Sequence, residues 1–370
     1  MPNSMKNLFF ICYFCSCFQL SGLMAQSFAE PTLSTQILND PSYRLVVIVQ
    51  KPVDANELRP FKKNPGMDKL YFAALDTLNM NWIEAVKKHW KLHKDLQFIS
   101  VDELLQMQKT LSKEERAKVL VLAYSNVEER IRTELQERDV KKLPVAVKKN
   151  ETSLYADART DVGLYQLGAL KKLVVAYDNV YYRALSETWK ECIIPNVCAT
   201  YEISNWYPGY ADLTFALLNM QELMIRRAAD KKVKGSKQDI GPKQAQLLQN
   251  KTLLVPEIYT QMWKKDKLEI DVTEASIRES YPYPFKIVRQ EEIDRVVRAN
   301  DKQYAILLRS VWPGVPGTGL TGIYYWAVDA ADCKTVLSYS DLKSPMIKDR
   351  YTYGFRNTFF DERAKELADK

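Results

Sequence analysis

From Lys251 to Leu308 the chain alternates strand, helix, strand, helix and strand signals, and that alternation constrains its architecture more than any other feature. Thr252 to Val255 is a short apolar run closed by Pro256, the pattern of a buried strand. Ala275 to Tyr281 suits a short helix stopped by Pro282 and Pro284. Phe285 to Val288 alternates like a half-buried strand. Gln290 to Asn300 then places Ile293, Val296 and Val297 on one helical face, and Gln303 to Val311 supplies another apolar strand. A chain that alternates in this way packs helices against a sheet, so the expected class is α/β, with α+β as the alternative.

A weaker copy of the same pattern runs from Lys69 to Leu122. Leu70 to Leu75 takes the place of the first strand, Asn81 to Trp90 of the helix, and Gln97 to Ser100 of the second strand. Val101 to Gln106 matches Arg289 to Asp294 in position and character, and Val119 to Leu122 matches Ala305 to Leu308. The spacing predicts two related βαβαβ-type units. If the two segments carried different strand orders, the match would be coincidence.

The material between the units differs. Asp161 to Lys190 repeats Leu164, Leu167, Leu170, Val174, Tyr177, Tyr181 and Leu185 at three- and four-residue intervals, which predicts a long helix. Asp212 to Lys231 predicts a second, so a central helical pair is expected between the units. Tyr43 to Gln50 is the strongest strand signal in the chain, preceded by an extended leader from Ala29 to Ser42. Leu143 to Val147 reads as an edge strand, and Gly322 to Asp329 with Lys334 to Tyr339 as a strand pair around Ala330 to Asp332. The resulting divisions are a signal peptide at 1–26, an N-terminal α/β unit at 27–150 and a helical segment at 151–231. A linker follows at 232–245, then a C-terminal α/β unit at 246–345 and a polar tail at 346–370.

Residues 1–26 have the layout of a secretory signal: Lys6, an apolar core from Leu8 to Leu20, then small and polar residues ending at Ala25 and Gln26. Cys12, Cys15 and Cys17 lie inside the apolar core rather than after it, which argues against lipidation. The expected location is the periplasm or cell surface of a Gram-negative bacterium. Removing the segment takes away Lys6 and no acidic residue, so the net charge falls from +7 to +6 over 344 residues. That mild charge, interspersed along helices, speaks against nucleic acid as a partner. No later stretch is apolar for long enough to span a bilayer, which leaves room only for peripheral attachment to a membrane.

Candidate chemistry is sparse. The histidines are His89 and His93, four apart in a helical pattern and so on one face. They are weak metal candidates, because a third ligand is lacking and Lys87, Lys88, Lys91 and Lys94 surround them. Cys192 and Cys198 suit a small disulfide loop in an oxidising compartment, leaving Cys333 as a buried thiol. Trp312 to Gly322 is glycine-rich but precedes a strand, so it reads as a hairpin loop and not a phosphate cradle. Glu291-Glu292 and Glu128-Glu129 read as polar helix faces, and no nucleophile has a placed base. Trp206, Tyr207, Tyr210 and Trp312 are the candidate recognition residues. No cofactor is expected. These features point to an exported, non-catalytic binding or assembly component with a protein partner in the cell envelope. A carboxylate-dependent hydrolase of carbohydrate or peptidoglycan is the alternative.

Overall fold

The computed structural model describes residues 28–29, 31–49, 67–127, 159–167, 197–203, 208–232, 246–264, 267–270, 273–281, 283–312 and 321–343. The chain has an α/β fold in which helices pack against two mixed sheets. The first half contributes β1 (Phe28–Ala29), α1 (Pro31–Asn39), β2 (Arg44–Ile48), α2 (Met67–His89), β3 (Leu96–Ile99) and α3 (Val101–Thr110). The short helix α4 (Lys113–Arg116) leads into β4 (Val119–Val127), β5 (Arg159–Gln166), β6 (Val197–Ile203) and α5 (Tyr210–Ala229). The second half contributes β7 (Thr252–Pro256), a small hairpin of β8 (Gln261–Lys264) and β9 (Lys267–Ile270), and α6 (Glu274–Ser280). It ends with β10 (Phe285–Val288), α7 (Gln290–Arg298), β11 (Tyr304–Trp312), β12 (Thr321–Asp329) and β13 (Thr335–Lys343).

The two sheets share one topology. In the first, the order is β1-β6-β5-β4-β2-β3; in the second, β10-β7-β11-β12-β13. Each contains a strand that lies between the next two of its sheet and runs parallel to both: β2 between β3 and β4, β7 between β10 and β11. Two antiparallel strands then extend each sheet, β5 and β6 in one, β12 and β13 in the other. A strand flanked on both sides and covered on both faces reads as a continuous apolar run, and both central strands do so. Leu45 to Ile48 are all buried, as are Leu253 to Pro256.

The strand pattern of the N-terminal half begins earlier than the sequence suggests. Leu70 to Leu75, read as a strand, lies inside α2, and the strand in that role is β2. Short apolar runs do not separate strand from helix. The recurrence of buried Leu75, Leu78, Trp82, Ala85 and Val86 at three- and four-residue steps decides for helix. Trp82 fastens that helix to its sheet, its indole donating to the Ile48 carbonyl at 2.9 Å. The other matched segments keep their roles: β3 corresponds to β10, α3 to α7, and β4 to β11. The leader at 29–42 also differs from expectation, because residues 31–39 form α1 with Pro31 in its first turn, where a missing N–H costs nothing.

The central helical pair requires a larger correction. Residues 159–166, the start of the expected first helix, form β5, with Val162 opposite Tyr124 and Leu164 opposite Leu122. The period-two pair Val162 and Leu164 competed there with the helical series that begins at Leu164, and cross-strand packing decided for strand. Residues 168–190 lie outside the described residues. So do the signal peptide, the edge-strand segment 143–147, most of the linker, the glycine-rich loop at 313–320, Glu128-Glu129 and the tail. The second helix is present as α5, and β12 and β13 form the expected strand pair.

Helix α5 occupies the centre of the molecule. It packs against α1, α2, α7, β1 and β6. Its first fifteen residues are buried almost all round, including the polar Asp212, Asn219 and Gln221. A helix buried on every side has no solvent face on which to place polar groups, so those groups must find partners. Asn219 donates to the Phe215 carbonyl at 2.8 Å, and Gln221 to that of Leu217 at 3.0 Å. One apolar core runs from Ile37 through α5 to Val328 and Cys333, joining both sheets, and a second cluster covers the far face of the β7 sheet. Alternate residues of β11 divide between them: Ile306 and Leu308 face the shared core, Ala305 and Leu307 the second. Among the described residues, no helix is long and apolar enough to cross a membrane.

Candidate functional site

A grouping of ionisable side chains lies where α2, α5 and α7 meet, at the N-terminal end of α5. The first backbone N–H groups of a helix lack intrahelical acceptors and carry the positive end of the dipole. Here α7 supplies the acceptor. Asp294 is 6% exposed and accepts from Tyr210 N at 2.9 Å and from Ala211 N at 3.0 Å. Asp212 folds back within α5 and accepts from Gly209 N at 2.9 Å. Gln290, one turn before Asp294, donates to its Oδ1 at 3.1 Å and lies 3.4 Å from Asp212 Oδ2. Two carboxylates from different helices therefore cap one helix end. Burial raises the Asp294 carboxyl above its ordinary range, opposed by the N–H groups of Ala211 and Tyr210 and by Gln290 and Arg298.

Gly209 makes this approach possible. Its φ of −72° is open to any residue, so the requirement is space and not backbone freedom. A Cβ on Gly209 would lie 2.2 Å from Gln290 Nε2 and 2.6 Å from Asp294 Oδ1.

One turn along α7, Arg298 reaches the first unit. Its guanidinium donates to Glu84 at 2.8 Å and to Asn81 at 2.6 Å, both on α2, and lies 4.4 Å from the centroid of the Tyr210 ring. Lys88 on α2 returns a contact, donating to the Arg298 carbonyl at 3.0 Å. The Tyr210 hydroxyl meets His89 Nε2 at 2.8 Å. Burial, with Glu84 next, pushes the Tyr210 phenol up to about 12, so it keeps its proton and donates. Burial, reinforced by Lys88 and Lys91, pushes His89 down to about 4, so the imidazole is neutral at pH 7 and accepts. Gln221 of α5 completes the clasp at the end of α2: its carbonyl accepts from Lys91 N at 2.7 Å and its amide donates to the His89 carbonyl at 3.1 Å.

A largely buried ion pair ties the ends of the β7 sheet. Lys251 Nζ meets Asp329 at 3.0 Å and donates to the Lys302 carbonyl at 2.5 Å, so one ammonium joins the start of β7, the end of β12 and the turn before β11.

The residues singled out in the sequence fare unevenly. Tyr210 is fully buried at the first position of α5, which makes it a pillar of the clasp and not part of a recognition surface. Trp206, Tyr207 and Cys192 lie outside the described residues, and Trp312 is the last residue of β11, opposite Gly322. Cys198 is buried in β6, and Cys333 is a buried thiol whose ionisation burial pushes up to about 12. His89 and His93 do not share a helical face, because α2 ends at His89. His93 instead stacks on Trp90 and accepts from its indole at 3.2 Å. Among the described residues, no group of three metal-ligating side chains forms. Glu292 pairs with Arg295 on the outer face of α7, as a solvated charge should. No family model, curated protein or solved structure matches this chain.

Asp294, Arg298, Asp212 and the Lys251–Asp329 pair escaped the sequence reading. Asp294 left one signal: it sits beside Ile293 and among Val296 and Val297, a charge within the apolar stripe of an otherwise clean amphipathic helix.

Proposed function

We propose that the chain is an exported component of the cell envelope that binds or assembles with another protein and does no chemistry of its own. Its two units, alike in strand order and direction, are read as an internal duplication joined into one scaffold by α5. The observation that carries this reading is the occupation of the clasp. Asp212, Asp294, Glu84, His89, Tyr210 and Arg298 are the side chains from which a buried active centre would be built, and their hydrogen bonds hold helices together. A carboxylate-dependent hydrolase needs two carboxyls about 5–9 Å apart beside room for a sugar and a water. Asp212 and Asp294 are both buried against backbone N–H groups, which weighs toward the binding reading.

The experiment is affinity capture with the tagged chain, residues 27–370, from the envelope fraction of its native cell. Recovery of one protein at near-equal amount supports an assembly role. A partner-free chain that releases sugar from peptidoglycan overturns it in favour of the hydrolase.

A further inference from the structure

Among the described residues the two large sheets have four edges, and three are very short. β1 has two residues, β3 four and β10 four, each too short to offer a useful ladder to another chain. The fourth edge, β13, has nine residues, as long as β12 beside it. Among the described residues it pairs with β12 alone. Its sequence, Thr-Val-Leu-Ser-Tyr-Ser-Asp-Leu-Lys, has no proline or glycine, and its ladder to β12 is regular from Leu337 to Lys343, with a bulge at Val336.

The shared topology indicates what this edge takes. β13 occupies the place in its sheet that β6 occupies in the other, as the second antiparallel strand after the parallel trio. The outer side of β6 is closed by an antiparallel segment, β1, with Phe28 opposite Thr200 and Ala29 opposite Ala199. The corresponding side of β13 has no such strand among the described residues.

We infer that β13 is a docking edge for the β13 of a second copy of this chain, forming an antiparallel, two-fold dimer with one sheet continuous across both molecules. Two copies of a strand related by a two-fold axis perpendicular to it are antiparallel, which is the direction in which β6 is capped. The strand is also self-complementary. With Tyr339 opposite its own copy, Ser338 faces Ser340 and Leu337 faces Asp341, all within the stretch whose ladder to β12 is regular. These five residues pair with no like charges opposite each other. A single strand pair covers less area than a standard interface, so association depends on concentration. This inference is independent of the binding role proposed above; a dimer can exist with or without a further partner.

The test is sedimentation equilibrium of the full chain, residues 27–370, over a hundred-fold range of concentration, paired with hydrogen exchange of the β13 amides. The expected result is a mass that rises from one to two copies, with β13 protection increasing in step. The double substitution Ser338→Lys with Ser340→Lys sets lysine against lysine at both symmetric pairs and should abolish the dimer. The matching Ser338→Glu with Ser340→Glu chain should also stay monomeric, while an equimolar mixture of the two should restore the doubled mass. That rescue separates a lost interface from a lost fold. A wild-type mass of one copy at every concentration overturns the inference, whether β13 is exposed or is covered by its own chain. So does a dimer that the lysine pair leaves intact.

Discussion

Replacing Asp294 with alanine tests whether the clasp holds the structure as argued. The substitution strands two buried donors, Tyr210 N and Ala211 N, which now lie 2.9 Å and 3.0 Å from the carboxylate. An unsatisfied buried donor costs about 1–3 kcal/mol, and loss of a helix cap about 0.5–2 kcal/mol. Removing a desolvated carboxylate returns part of this, so the net loss should be about 2–3 kcal/mol. With a urea dependence near 3 kcal/mol per molar, the unfolding midpoint should fall by about 0.7–1 M at unchanged slope. Asp294→Asn keeps one acceptor and should lose about half as much. The comparison with asparagine also carries a pH signature. Because burial raises the folded carboxyl pKa above the value of 3.8 expected without it, folding favours the protonated form. That contribution is full below the unfolded value and is lost as pH rises through the folded one. Wild type should therefore gain stability relative to Asp294→Asn as pH is lowered from 7 toward 4. An alanine variant within 0.2 M of wild type, or a difference that grows in the opposite direction, would refute the assignment of Asp294 as the cap of α5.

Three further substitutions probe the same architecture. His89, pushed down to about 4 from 6.5, stabilises the fold as a neutral ring, a contribution full above pH 6.5 and lost as pH falls through about 4. Discounted for its partial exposure, it amounts to about 1 kcal/mol, and His89→Gln should flatten the acid limb of a melting-temperature profile by that amount. Gly209→Ala brings a methyl to 2.2 Å from Gln290 Nε2 and should cost about 1–3 kcal/mol in a denaturant titration without altering secondary structure by circular dichroism. Lys251→Met leaves Asp329 without its ammonium in a site where the pair's side chains are 10% and 16% exposed. A loss of about 2–4 kcal/mol is expected by calorimetry, and the double variant with Asp329→Leu should recover much of it.

The parts of the fold legible in the sequence were those with a local cause. β10, α7 and β11 stand where periodicity placed them, because the stripe of Ile293, Val296 and Val297 and the run Ala305 to Leu308 admit one burial each. α3 was legible only through its likeness to α7, and the structure adds a local cause, a capping box of Ser100 and Glu103 satisfied at both ends. Where the reading failed, the deciding contact was distant. β5 is a strand because Leu122 and Tyr124, some forty residues away, lie opposite its apolar positions. Leu70 to Leu75 is helical because the strand place it might fill is taken by β2. The clasp was least legible of all. Asp294 and Tyr210 are 84 residues apart, and Arg298 and Asn81 are 217 apart. No local pattern announces a carboxylate that caps another element's helix.

The burial of α1 against α5 has a consequence for how the chain comes to be folded. Residues 28–39 find their neighbours in β6 and α5, which end at Ile203 and Ala229. Among the described residues their main neighbours lie no nearer in sequence, so the N-terminal segment waits for almost two hundred further residues. At about 5–20 residues per second of synthesis, that wait is roughly 10–40 seconds. Contacts of such long sequence separation also slow the search once all the residues are present. The nascent chain thus carries α1 without its native cover for most of its synthesis, even after β2, β3 and β4 are available to pair.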